Sequence, residues 1–175
     1  MSSYKNSLQK SHRDNIRNGL VYASATQSVE RLKQKIGDGQ CYVAMQEDRL
    51  VGTATICLKK IDYWYFSGTV GLIKLVAVDP DKKHAGVGTQ CIETCIHYAR
   101  EVGIKVIVTD SADENMAFKK LVTRLGGKMV DYCKYKANNF VSAVYALFFD
   151  RDLEPEDSFR EEYLGRKCLN IVEHD

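Results

Sequence analysis

The chain lacks any apolar run approaching the roughly 20 residues that a membrane span requires, and Met1 to Ser11 has no hydrophobic signal core. A cytoplasmic protein with no membrane partner is therefore expected. It also lacks an excess of charge: 25 Lys and Arg against 23 Asp and Glu leave +2. Such a balance gives no basic field that would call for nucleic acid. No C-x-x-C pair occurs among the six cysteines, at 41, 57, 91, 95, 133 and 168, and the histidines lie far from them in sequence. That spacing speaks against a metal site and for thiols used as small apolar residues, with a catalytic cysteine left open. Internal repeats and low-complexity segments are missing too.

What is present is ordinary globular material, 175 residues at 45% apolar and 27% charged, enough for one domain with a real core. Residues 1–39 read as two short helices, the second opening at Ser28 and stopping at Gly37. Cys41 to Met45 and Leu50 to Lys59 read as a hairpin turned at 46–49. The aromatic stretch Ile61 to Ser67 is expected to be a strand end or a loop, with its rings packing or lining a substrate opening. Leu72 to Val78 is a strand, and Gly88 to Arg100 a helix with Ile92, Cys95, Ile96 and Ala99 on one face. Lys105 to Thr109 is the next strand, so strand, helix and strand make a right-handed parallel crossover. A helix after Asn115 comes next, and then a hairpin of 129–136 with 141–149. We divide the chain into a domain of residues 1–150 and a C-terminal helical extension of 151–175.

The organising stretch is Leu72 to Thr89, where the apolar strand stops at Asp79-Pro80 and a basic, glycine-spaced loop leads into the helix. Amides at such a junction lack partners and carry the positive end of the helix dipole, so they suit a phosphate. Gly86 and Gly88 remove Cβ where backbone must approach a ligand, and Lys82, Lys83 and His84 supply donors at the rim. The dinucleotide fingerprint fails because its third glycine falls on Cys91, and the P-loop pattern is absent. A plain strand-to-helix turn would use the same glycines.

The order of strand, Asp-Pro stop, Lys83-His84-Ala85-Gly86-Val87-Gly88 and amphipathic helix resembles motif A of the GNAT superfamily of N-acetyltransferases, with Lys83 where that pattern has Arg or Gln. The resemblance, over roughly Ser28 to Phe149, implies an α/β (α+β) fold. Its mixed central sheet would have about six to seven strands, splayed between the fourth and fifth and flanked by about four helices. The family's first strand has no clear counterpart here. The resemblance also implies acetyl-CoA as co-substrate, with Val76, Ala77 and Val78 offering backbone to pantetheine, and His84, Ala85, Gly86, Val87, Gly88 and Thr89 holding the pyrophosphate. Asn115 matches the asparagine that contacts the pantetheine arm, and is equally a helix N-cap.

Acetyl transfer to a primary amine, in a small molecule or a protein, needs a deprotonated nitrogen, and a lysine-like ammonium titrates near 10.4. A base or water chain must therefore take its proton. Many family members have a glutamate where Lys74 stands and a tyrosine acid where Val122 stands, so neither role carries over. Asp110 matches the position of a general-base glutamate in ribosomal-protein-acetylating relatives; as the shorter acid it would act through water, and after a strand it is also an ordinary turn former. His12, His97, Tyr63, Tyr65, Cys133 and Tyr135 are weaker candidates. Direct transfer in a ternary complex is what the resemblance implies. The alternative is a catalytically weak acyl-CoA-binding regulatory or sensor module, and a third reading makes the tail, through Phe159 and Tyr163, a partner-binding or homodimer surface.

Overall fold

The computed structural model describes residues 33–34, 36–82, 85–135, 141–165 and 169–172. The expected N-terminal helices lie outside these residues, except for a last turn at 33, 34 and 36 that closes at Gly37, whose N–H donates to the Lys33 carbonyl at 2.8 Å. His12, Lys83, His84, Cys168 and the turn at 137–139 are also outside them. Among the described residues, seven strands form a mixed sheet in the order β1-β2-β3-β4-β6-β5-β7. No described helix is long and apolar enough to cross a membrane.

The chain divides into two compact units with interleaved segments, 1–58 with 73–102, and 59–72 with 103–175. In the first, β1 (Gln40–Gln46) pairs antiparallel with β2 (Arg49–Tyr63), from Gln40 opposite Ile56 to Gln46 opposite Arg49. The expected hairpin is thus present. Val51 to Ile56 are all buried, as in a strand covered on both faces. The end of β3 (Phe66–Val78) and helix α1 (Val87–Glu101) complete this unit. Cys91, Ile92, Cys95 and Ala99 form the buried stripe of α1, with Ile96 half-buried at its margin.

In the second unit the aromatic stretch is a strand end and a turn: β2 runs to Tyr63 and β3 begins at Phe66, so Trp64 and Tyr65 are a hairpin turn. Then come β4 (Val106–Ala112), α2 (Met116–Arg124), β5 (Lys128–Tyr135) and β6 (Val141–Phe148). β6 lies between β4 and β5, antiparallel to both. Ile61, Tyr65, Val70, Val106, Val108, Val130, Val144 and Ala146 make one core here.

The tail holds a helix and also a strand. α3 (Asp157–Gly165) is followed by β7 (Leu169–Val172), which pairs parallel with β5. Trp64 meets Tyr163 at 4.4 Å and Phe159 at 5.5 Å between ring centroids, so the turn that the sequence leaves undecided is held by tail aromatics. Lys128 pairs with Glu154 and Asp157, and the Arg160 guanidinium donates to the Met129 carbonyl at 3.2 Å, tying the tail to β5.

Candidate functional site

In the first unit, the site begins with a leucine in a conformation leucine avoids. Leu75 has φ of +55°, and its carbonyl accepts from the Thr53 hydroxyl at 3.3 Å. A left-handed residue inside a strand interrupts the ladder and re-aims the residues beyond it. Those residues are Val76, Ala77 and Val78, the expected pantetheine segment; the valines are half-buried and Ala77 is buried.

The strand then stops on a buried carboxylate. Asp79 accepts from Arg49 at 2.6 Å and from its own downstream amide of Asp81 at 3.1 Å, while its N–H donates to the Val51 carbonyl at 2.7 Å. With a side chain 6% exposed, Asp79 fixes the exit of the chain toward the loop. Pro80–Lys82 make one 3-10 turn, and the Ala85 amide returns to the Lys82 carbonyl at 3.4 Å.

Gly86 is the N-cap of α1, with φ of +82°, no side-chain cap, and open space where a Cβ would stand. The first α1 backbone bond runs from Gln90 to the Gly86 carbonyl at 3.0 Å. Among the described residues no acceptor meets the amides of Gly86, Val87 or Gly88. Thr89 is half-buried in the same turn. Gly52 of β2 makes the close seating of this turn possible: a Cβ there would collide with Val87 and come within 3.2 Å of the Cys91 sulfur. The helix start is therefore pressed against the sheet while its donors face outward, and these residues fit a diphosphate.

In the second unit, Asp110 is not in a turn. It sits within β4 opposite Val144, half-buried, because the strand continues to Ala112. Asp131 also stands opposite Val144, and Cys133 opposite Ser142, which faces Ala112 on the other side. Strand alternation places Asp110, Asp131, Cys133, Tyr135 and Ser142 on one face of the sheet. The Tyr135 hydroxyl donates to Asp110 Oδ2 at 2.7 Å and also bonds the Cys133 thiol. Burial, then the Asp110 charge, pushes the Tyr135 phenol far above its ordinary value, so it is a donor at any working pH. Burial, with the Asp110 and Asp131 charges, pushes the Cys133 thiol up to about 12.

Asn115 caps α2: its carbonyl accepts from the Phe118 amide at 3.2 Å and its NH2 donates to the Ser111 hydroxyl at 3.0 Å. Val122 is buried on α2, and Lys74 is half-buried on β3. His97 is a surface residue paired with Glu101, Tyr63 is exposed, and Tyr65 is buried in the core. Cys91, Cys95 and Cys133 are buried, Cys57 is half-buried and Cys41 is exposed. Three or more potential metal-ligating side chains do not come together among the described residues. A pocket of about 240 Å³ between β1 and α1, lined by Tyr42, Val43, Ala44, Gln90, Cys91 and Thr94, offers neither carboxylate nor imidazole. Arg49, Asp79, Leu75 and the Asp110–Tyr135 pairing escape the sequence; only Asp79-Pro80 left a trace, as a strand stop.

The family model described as the acetyltransferase (GNAT) family matches residues 8–127. No curated protein matches the chain in sequence. Among solved structures, an N-acetyltransferase from Staphylococcus aureus Mu50 is similar at a TM-score of 0.61 and 20% identity, over 83% of this chain and 92% of that one. A ribosomal-protein-alanine N-acetyltransferase from Brucella melitensis is similar at 0.64 and 16%, over 85% and 96%. A GNAT family acetyltransferase from Elizabethkingia anophelis with acetyl-CoA bound is similar at 0.57 and 19%, over 69% and 83%. At such identities the likeness speaks for the fold.

Proposed function

Since the chain belongs to the GNAT family of acetyltransferases, we propose that it is a cytoplasmic N-acetyltransferase that moves the acetyl group of acetyl-CoA to a primary amine by direct attack in a ternary complex. The observation that carries this reading is the set of amides at Gly86, Val87 and Gly88, without acceptors among the described residues, at the start of a 15-residue helix. They would hold the diphosphate, with Lys83, His84, Ala85 and Thr89 around it. Val76, Ala77 and Val78 would present backbone to the pantetheine arm, and Asn115 would contact it. Residues 1–150 would carry the activity, with 151–175 as an extension.

Acetyl-CoA supplies an activated thioester. The protein's part is to orient it, to exclude water and to receive a proton. Asp110 is the acceptor we assign, directly or through one water. Cys133 is a poor nucleophile, since a thiol held near 12 is protonated at neutral pH, and this favours direct transfer over a covalent acyl-enzyme.

Gly86→Glu tests the reading. It forces a side chain into the left-handed region and sets a carboxylate where the diphosphate should lie, so acetyl-CoA binding should vanish in calorimetry while the fold persists. Unchanged affinity would sink the assignment. A second reading, a weakly catalytic acyl-CoA sensor, draws on Lys74 and Val122 standing where many relatives keep acid–base groups. An amine panel with a free-thiol readout separates the two, because tight cofactor binding without thiol release from any amine favours the sensor.

A further inference from the structure

We propose that Tyr135 is a positioning residue for amine deprotonation: by donating to Asp110 Oδ2 it fixes the carboxylate so that Oδ1 faces the acceptor nitrogen or its relay water. This rests on the acetyl-transfer reading and adds to it a residue on another strand, separated from β4 by the whole of β6.

The geometry is specific. The bond is 2.7 Å, between a phenol and a half-buried carboxylate, within the range of strong charge-assisted pairs. Among the described residues only Tyr135 donates to Asp110, and only through Oδ2. An aspartate has few rotatable bonds, so anchoring one oxygen sets the direction of the other. The remaining polar groups on this face match the role. Cys133 shares the Tyr135 hydroxyl, Asp131 takes the Tyr132 amide at 2.8 Å, and the buried Ser142 hydroxyl has no hydrogen-bond partner. None of these is a cation that would neutralise Asp110. Among the described residues the Asp110 carboxylate thus meets a phenol donor and no cation, with Oδ1 left without a donor.

Atoms and electrons balance through the step. The ammonium first gives one proton to Asp110 Oδ1 and on to solvent; the neutral nitrogen then bonds the acetyl carbon as the C–S bond breaks, and the sulfur leaves with the electron pair. The second proton that the nitrogen sheds goes to solvent, and solvent protonates the sulfur to give the free thiol. Tyr135 keeps its proton throughout.

Steady-state release of thiol from acetyl-CoA, with butylamine, spermidine and a peptide bearing a free N-terminal alanine as acceptors, tests this in the full chain. Asp110→Asn should lower kcat roughly a hundredfold. Tyr135→Phe should lower it about tenfold, leaving KM for acetyl-CoA unchanged and the thermal midpoint nearly so. In the Asp110→Asn background, Tyr135→Phe should cost nothing further. Tyr135→His, which keeps a ring and a donor, is the second variant, should Tyr135→Phe fail to fold, and should retain more activity than Tyr135→Phe wherever both fold. A Tyr135→Phe rate equal to wild type, or a loss that multiplies in full with that of Asp110→Asn, overturns the inference and leaves the acetyl-transfer reading standing. A wild type that binds acetyl-CoA and acetylates none of the three amines overturns both.

Discussion

Cys133 sits beside Asp110 and Tyr135, a position where a thiol invites a covalent mechanism, and its surroundings argue against one. It is 6% exposed, and burial together with two nearby carboxylates pushes it up to about 12. Cys95, fully buried on α1, is pushed to about 12 by burial and the neighbouring thiols. Mass spectrometry of the protein quenched during turnover should therefore show no acetyl adduct on Cys133; an adduct there would replace direct transfer with a two-step route. The same shifts make an alkaline prediction. From about pH 9, where an unfolded thiol ionises, to about pH 12, the unfolded chain has released protons the native chain still holds. Stability is full below that window and falls through it, by about 1.4 kcal/mol per pH unit for each such thiol. Cys95→Ala should flatten the slope of urea stability against pH by about one thiol's share, and an unchanged slope would remove Cys95 from the account.

At the scale of elements, the phosphate-binding start of α1 depends on a position in another strand. Gly52→Val would drive its side chain into Val87 and the Cys91 sulfur, and overpacking of this kind costs typically about 1–3 kcal/mol. Because the displaced turn carries the amides of Val87 and Gly88, urea stability and acetyl-CoA affinity should fall together; a stable variant with full affinity would show that the seating of α1 is immaterial. The α1 stripe was legible because Ile92, Cys95 and Ala99 recur at helical spacing before a glycine stop, and the β1–β2 hairpin because its turn is polar. The β2–β3 turn was not, since Trp64 and Tyr65 carry no turn chemistry and Trp64 is held by Phe159 and Tyr163, 95 or more residues onward. Asp110 looked like a turn former because Asp and Ser come directly after Thr109. Inside β4 their polar groups are met instead by Tyr135 and Asn115. No local pattern announces Tyr135 as the partner of Asp110, for β6 returns between their strands, nor Leu75 as left-handed, for leucine avoids that region.

At the scale of the whole molecule, the chain passes between its two units at 58–59, 72–73 and 102–103. Two of those passages fall inside single strands, β2 and β3. A strand whose halves belong to different units cannot melt in one and stay ordered in the other without fraying its own ladder, so the units should unfold together. The only tryptophan, Trp64, is in the second unit, and the proposed diphosphate loop is in the first. Acetyl-CoA at about 100 times its dissociation constant stabilises a native state by about 2.7 kcal/mol. In a chain of this length that raises the thermal midpoint by roughly 5–10 °C. Trp64 fluorescence and far-ultraviolet circular dichroism should report the same midpoint without ligand and the same rise with it. If circular dichroism shifts while Trp64 melts at its unliganded temperature, the ligand's stabilisation stops at the first unit, and continuity of β2 and β3 is not enough to couple the two.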